Sequence, residues 1–459
     1  MDEDQFSPPE TPNANDIVKV ISLEPNDAID DDDSINENGE DLKISAHTKD
    51  AFCVDCFRGK WLATGGEDDC ALLFDLDIFD IEPILRITDH VDSVIYVRFN
   101  SSGMFLASGD MSGKIIITDT SHLMCIHEIN ECSELEWLDW HKEADVLFAG
   151  ASNGIIWEFS VSQVEVFAEG SGTSSNIGKI LGCGLKLLCA FSNGTVRIWS
   201  LLDPKSTAIS VDMACTCVDA HKSLPLAAIG GQDGKCIIIN TEKDKVMRLL
   251  NTAEACKTEK VNEQIFDETV SYSVECIQFS CFKDIWIAVG TNNGFLIIYD
   301  INRGCIRHIC DHGGYTVVKC HWFGTSDGIQ VIITACLDGI IRIWDVFSGN
   351  KVFSWVFEEL LGGGEGILDM ALCLDTHRIF TVSSGGTLRV LGIFVKRQIE
   401  ASINYTSTVA RLRWFLGHGF RCRSAEQSFD YLLNDIEEEQ STYVPIRRGR
   451  RRKELIYNA

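Results

Sequence analysis

Short runs of alternating apolar and polar residues recur through the middle of this chain. Each ends in a polar turn and is answered by a second apolar run. The sharpest copy is ITACLDGIIRIWD at 333–345. Others are LASGDMSGKIIITD at 106–119, FAGASNGIIWEF at 148–159, LCAFSNGTVRIWS at 188–200, AAIGGQDGKCIIIN at 227–240 and IAVGTNNGFLIIYD at 287–300. The first copy is LATGGEDDCALLFD at 62–75, and the last, FTVSSGGTLRVL at 380–391, is degenerate. Alternation with period two predicts strands. The Asp-Gly and Asn-Gly pairs tolerate positive φ and predict two-residue hairpin turns.

The turn glycines give the repeat length. Gly113, Gly154, Gly194, Gly234, Gly294 and Gly339 are separated by 41, 40, 40, 60 and 45 residues. Asp69 holds the equivalent place 44 residues before Gly113, and Gly386 lies 47 after Gly339. Units of this length, each with four short strands, predict an all-β fold, a WD40 β-propeller of eight blades. One such blade cannot bury both of its apolar faces, so neighbours must stack into a ring. The expected blades are 47–80, 90–129, 135–168, 176–203, 213–250, 273–310, 312–356 and 366–395, flanked by a disordered acidic segment, 1–46, and an irregular extension, 396–459. The 60-residue gap predicts a polar protruding insertion at 250–272.

A propeller ring is commonly closed by a strand from the far end of the chain. Residues 16–23, DIVKVISL, alternate and offer such a strand; the alternative is that they belong to a loose tail. One blade carries the residues for a buried polar relay: His312, Thr334, Asp338 and Trp344. Such a network stiffens a fold when every member is satisfied. The same residue types suggest a hydroxyl–His–Asp catalytic set, but no oxyanion hole or nucleophile elbow accompanies them. In blade two the relay is broken: His90, Ser108 and Asp110 are present, but Thr118 replaces the Trp.

Charge sharpens the functional reading. Of 459 residues, 68 are acidic and 40 basic, a net charge of −28. Residues 1–50 hold 15 acids and 3 bases and residues 391–459 hold 8 acids and 12 bases, which leaves −20 on the central body. Such a surface repels phosphate backbones and favours cationic partners. Direct nucleic-acid binding is therefore not expected. No apolar run is long enough to span a membrane, and the acidic start MDEDQFSPPE is unlike a secretory signal, so a cytoplasmic monomer is expected, with a nuclear or membrane-peripheral fraction as a further location. The 19 cysteines include many in apolar segments, such as Cys276, Cys320 and Cys336. They read as small buried hydrophobes. Cys53 and Cys56 form a lone C-x-x-C whose members face opposite sides of a strand, so it predicts neither a metal nor a redox site. No P-loop, dinucleotide fingerprint or H-E-x-x-H motif appears; neither an enzyme nor a cofactor is expected.

Several segments go beyond the generic repeat: GGEDD at 65–69, ASGDMSG at 107–113, LEWLDWH at 135–141, LDGIIRIWD at 337–345, and an H-x-x-x-x-F-C-V start at 47–54. In these the chain resembles the angio-associated migratory cell protein family over about 16–395. The resemblance implies one of two roles. Animal members are linked to cell migration and angiogenesis, with cytoplasmic and cell-surface placement. Fungal members are chaperones that hold the basic N-terminal end of a large-subunit ribosomal protein on an acidic propeller face. The chain departs from the family after about 395. Its Arg447, Arg448, Arg450, Arg451, Arg452 and Lys453 read as a solvated tail, a nuclear-import signal or an acid-binding segment, and 426–439 as a short helix.

The expected function is a non-catalytic protein-binding scaffold, a chaperone for a basic ribosomal segment; the alternative is a cytoplasmic signalling scaffold in cell migration. The candidate partner-binding residues are Glu67, Asp68, Asp69 and Asp110 in turns, and Glu134, Glu136 and Glu275 where strands begin, with Trp137 offering a cation–π contact.

Overall fold

The computed structural model describes residues 42–393, apart from 79–81, 161–162, 170–172, 183, 204, 253, 256–271, 325–329 and 358–364. Among the described residues, thirty-two strands form eight separate four-stranded antiparallel sheets. Seven sheets use consecutive strands, as in β2 (Ala51–Phe57), β3 (Trp61–Gly66), β4 (Ala71–Asp75) and β5 (Pro83–Ile87). The first strand of each of these seven sheets, and β30 (Ile367–Cys373) of the eighth, packs beside its counterparts in the neighbouring sheets, so these eight strands surround the axis of the ring. The turn chemistry behaves as expected: Gly113, Gly154, Gly194, Gly234, Gly294, Gly339 and Gly386 all have positive φ, and Asp69 adopts φ 56° in their place in the first blade.

The eighth sheet closes the ring, with a correction to the sequence reading. Residues 16–23 lie outside the described residues, and the position expected for them is taken by β1, Leu42–Ser45. It pairs with β32 (Thr387–Gly392), Leu42 opposite Val390 and Ser45 opposite Thr387. The N–H groups of Ala46 and His47 both donate to the Gly386 carbonyl at 3.0 Å. A strand that abuts the first blade reaches the last one with only a few linking residues. The 16–23 segment would first have to close a loop of some twenty residues. The insertion also begins later than expected. Residues 250 and 251 complete β21 (Lys245–Asn251), and buried Leu250 packs in the core between blades five and six. Thr252 is buried, its hydroxyl donating to the Gly234 carbonyl at 2.7 Å.

Apolar side chains fill every gap between blades, for example Leu62, Leu72 and Phe74 of blade one against Phe380, Val382 and Leu388 of blade eight. Around the axis a polar girdle staples blade to blade. Asp55 accepts the Phe99 N–H (2.9 Å), Asp139 that of Ile180 (3.2 Å), Asp219 that of Phe279 (2.7 Å), Gln278 that of Trp322 (2.8 Å) and Asp369 that of Val54 (3.1 Å). Each acceptor sits on an innermost strand and each donor on the next blade's innermost strand. Cations offset the carboxylates: Lys179 lies 3.3 Å from Asp139 and Lys319 2.9 Å from Asp369. Burial raises the Asp55 and Asp219 carboxyls. Burial opposes ionisation at Asp369 too, but Lys319 and Arg98 outweigh it and hold that carboxyl below its usual range. His321, pushed down to about 4 mainly by burial, is neutral; it accepts from the Gln278 amide (3.0 Å) and donates to the Met370 carbonyl (3.0 Å).

Candidate functional site

The face at which the innermost strands begin, here called the upper face, is built by one contact repeated in all eight blades. A turn N–H donates to the carbonyl just before the innermost strand: Glu67 to Asp50, Met111 to Ser93, Ser152 to Glu134, Ser192 to Ser174, Gln232 to Ala214, Asn292 to Ser273, Leu337 to Thr316 and Ser384 to Gly366, all at 2.8–3.1 Å. Glu67 and Glu134 therefore occupy defined ring positions, Glu67 half-buried and Glu134 exposed. Asp69 is exposed beside Glu67. The acids that sequence reasoning missed are Asp92 and Asp212, exposed in the loops that lead to the innermost strands, and Asp311, exposed at the end of an outer strand, Cys305–Asp311. The signal was there for two of them: Asp92 and Asp212 lie, like Glu134, within three residues of an innermost strand.

Glu136 and Glu275 belong together for a reason that pairing reveals. Seven of the eight innermost strands carry a bulge just after their first residue, and only β14 (Ile177–Ile180) has none. A bulge leaves its extra residue off the regular ladder and re-aims it. The bulge residues are Phe52, Ile95, Glu136, Thr216, Glu275, Val318 and Leu368. Blades seven, eight, one and two thus set an apolar arc of bulge residues on the innermost strands, and blades three, five and six a polar one, acidic at Glu136 and Glu275. Glu136 accepts the Ser174 hydroxyl at 2.8 Å, and Glu275 is bonded by the Ser273 hydroxyl and exposed.

Three of the nominated residues are instead committed to the interior. Asp110 is fully buried. It accepts from the His90 ring (3.1 Å), the Val91 N–H (3.1 Å), the Ser112 hydroxyl (2.6 Å) and the Lys114 N–H (3.0 Å). The other His90 nitrogen meets the Ser108 hydroxyl at 2.8 Å. Blade one repeats this set: His47 bonds Asp68 (2.7 Å) and Thr64 (2.8 Å), and Asp68 also accepts the Thr48 N–H (3.1 Å). Burial alone would raise the Asp68 carboxyl, but the His47 hydrogen bond and charge bring it below its usual value. Asp68 and Asp110 are thus relay carboxylates. Trp137 is buried as well, its indole N–H donating to the Ser175 hydroxyl at 3.0 Å, so no cation reaches its face. A methyl added at Gly150 would lie 1.9 Å from that indole nitrogen. Gly150→Ala is expected to cost about 1–3 kcal/mol through overpacking, read as a lower urea midpoint at unchanged slope.

The relay expected in blade seven forms with three members, not four. The Trp344 N–H donates to the Thr334 oxygen (3.1 Å) and Thr334 meets one His312 nitrogen (2.9 Å). The other His312 nitrogen donates to the Cys310 carbonyl (3.2 Å) rather than to Asp338. Asp338 is taken by Arg342, with N–O distances of 3.2 and 2.5 Å. Arg342 stands opposite Thr334, where blades one and two have Leu72 and Ile116. A bidentate guanidinium outcompetes a neutral imidazole for the carboxylate. Burial, then Arg342, depress His312 to about 4, so its ring is neutral.

Eight radial sheets with buried His–Ser/Thr–Asp sets define the fold of a WD-repeat β-propeller. The WD domain, G-beta repeat family matches residues 81–119, and the Nucleolar protein 10-like, N-terminal domain family matches residues 189–382. Within the WD-repeat proteins the chain is similar to the angio-associated migratory cell protein of Homo sapiens, 29% identical over 360 residues, which cover 76% of this chain and 79% of that protein. It is 23% identical over 386 residues to the ribosome assembly protein Sqt1 of Saccharomyces cerevisiae, covering 75% and 84%. A crystal structure of Chaetomium thermophilum Sqt1 bound to the N-terminus of the ribosomal protein L10 superposes with a TM-score of 0.65 at 19% identity, over 76% of this chain and 98% of that one. Fold and relatives together support a protein-binding role. Among the described residues, no helix is long and apolar enough to cross a membrane.

Proposed function

We propose that this propeller is a chaperone or escort that holds a basic segment of a ribosomal protein on its upper face. The observation that carries the reading is the placement of Glu67, Asp69, Glu134, Glu136 and Glu275 on that face, at ring positions set by the turn contacts and the bulges. The similarity to a ribosome assembly protein and to a propeller holding a ribosomal N-terminus supports it. Single exposed ion pairs contribute only about 0.2–1 kcal/mol, so capture requires several carboxylates acting at once. The apolar arc adds a second demand: the bound segment carries aliphatic or aromatic residues among its Lys and Arg.

The test is titration of the purified full chain with a Lys/Arg-rich ribosomal N-terminal peptide at low and high salt. Affinity is expected to fall steeply with salt, because screening acts over about 8 Å at physiological strength. The triple variant Glu67→Lys, Glu134→Lys, Glu275→Lys is expected to bind on the order of 100-fold more weakly, three modest contacts being lost together. Unchanged affinity in that variant sinks the proposal. Salt-insensitive retention of a non-ribosomal partner, lost when Phe52 and Leu368 are made polar, would instead favour a signalling scaffold, the role suggested by the similarity to the angio-associated migratory cell protein.

A further inference from the structure

The lower face, where the innermost strands end, carries a cavity of about 330 Å³ between blades six and seven, at the small end of the range for ligand sites. In blade six, Asp284 stands in the turn between β22 (Val274–Phe279) and β23 (Trp286–Thr291). Asn302 and Arg303 stand in the turn between β24 (Phe295–Asp300) and β25 (Cys305–Asp311). Phe347, which is exposed, comes from blade seven, in the turn after β28 (Ile341–Asp345). Trp286, Asp300 and Arg307 complete the lining. The blade-seven wall is held in place. The His308 ring donates to the Phe347 carbonyl at 2.9 Å, and the Phe347 and Trp286 rings meet edge to face at 5.9 Å.

Arg307 breaks a pattern there. Blades one, two, five, six and seven each carry a bulge in the outermost strand, just before the partner of the penultimate residue of the third strand. In four of them the extra residue is apolar: Ile84, Ile126, Met247 and Val352. In blade six it is Arg307. Its guanidinium carbon lies 4.2 Å from the centre of the Trp286 ring, a cation–π contact. An Asp300 oxygen is 3.9 Å away, beyond hydrogen-bond reach. Asp300 is already served by the Trp286 indole N–H at 3.2 Å and the Arg303 backbone N–H at 2.9 Å. The Nε of Arg307 is buried and has no hydrogen-bond partner among the described residues. A guanidinium offers five donors in a fixed fork, so a cation held this way is under-used by the fold. Two more arginines reinforce it. Arg303 is exposed beside it, and the Arg248 guanidinium of blade five packs on the same turn, 3.2 Å from a Cβ built on Gly304.

We propose that this cavity binds an acidic peptide segment of a partner protein, one in which a carboxylate stands next to an aromatic side chain. The carboxylate pairs with the forks of Arg307 and Arg303, and the ring packs on Phe347 beside Trp286. Phosphate fits worse. Three arginines against Asp284 and Asp300 leave one positive charge, which a single carboxylate neutralises and a phosphate dianion exceeds. The apolar wall also has nothing to offer a bare anion. In a chain of net charge −28, this cluster is a place where an acidic partner meets attraction rather than repulsion. The site lies on the opposite face from the carboxylates of the upper face and does not rest on the reading given for them.

The test is saturation-transfer NMR on the purified full chain with the peptide Gly-Ser-Asp-Phe-Glu-Ser-Gly, capped at both ends. Saturable binding with a Kd of about 0.1–1 mM is expected from one charge-assisted pair and one ring contact. The same peptide with Asn and Gln for its two acids, or with Ala for its Phe, should bind at least about tenfold more weakly. Arg307→Leu should lose affinity by at least about tenfold and keep the urea midpoint, because four other blades carry an apolar residue at that bulge. Phe347→Ser, in an exposed turn, should weaken binding without loss of fold. The triple variant Glu67→Gln, Glu134→Gln, Glu275→Gln should bind the peptide as the parent does. Equal affinity in Arg307→Leu, equal affinity for the uncharged peptide, or no saturable binding below about 5 mM overturns the proposal. Displacement by inorganic phosphate at a concentration equal to that of the peptide would mark a simple anion site and overturn it as well.

Discussion

Asp369→Ala is expected to lower the stability of the propeller by about 3–5 kcal/mol, the range for breaking a buried ion pair from one side. Three groups lose their partner in that variant. The Val54 N–H, inside the ring at the blade-eight–blade-one seam, loses its only described acceptor at 3.1 Å. The Lys319 ammonium, 2.9 Å away, is left without its counter-ion, and Arg98 loses one of the carboxylates that keep it charged. A buried donor left unbonded costs about 1–3 kcal/mol by itself. Asp369→Asn keeps an acceptor for Val54 but not the charge and should fall between parent and alanine variant. The measurement is the urea midpoint at constant slope. A midpoint within error of the parent would show that the girdle does not hold the seam.

Asp110→Ala is the second large effect, about 3 kcal/mol, because the carboxylate accepts four bonds inside the second blade and a methyl replaces none of them. It also has a pH signature. Burial alone would raise this carboxyl, but His90, Ser112 and the Val91 N–H bring it from 3.8 to about 2. The group is therefore more acidic folded than unfolded. Its contribution is complete above about pH 5, falls as pH drops below 3.8, and is gone below about 2. The stability difference between parent and Asp110→Asn should accordingly shrink between pH 5 and pH 2. A difference independent of pH across that window would mean that ionised Asp110 is not what the blade uses.

Both residues show where sequence reasoning stops. Asp110 was read both as a partner-binding turn acid and, with His90 and Ser108, as part of a relay broken by Thr118; the sequence did not choose between the two. Its burial depends on His90 folding back twenty residues to meet it, and the same holds for Asp68 and His47. The blade-seven relay was anticipated, but the diversion of Asp338 to Arg342 needed the register that sets Arg342 opposite Thr334. The closing strand was sought in DIVKVISL because its alternation is strong over eight residues. LKIS is only four residues long, and what selects it is its nearness to the first blade.

The amino-acid pattern by itself determined that this is a ring of eight small sheets. Period-two alternation and turn residues at intervals of about forty are local properties, and thin sheets with two apolar faces have no other way to hide them. Net acidity was equally plain. Which carboxylates are exposed, which are buried in relays, and which strand closes the ring were decided only by tertiary structure. Those facts depend on register, bulges and contacts between residues as far apart as 54 and 369, and no local pattern encodes such distances.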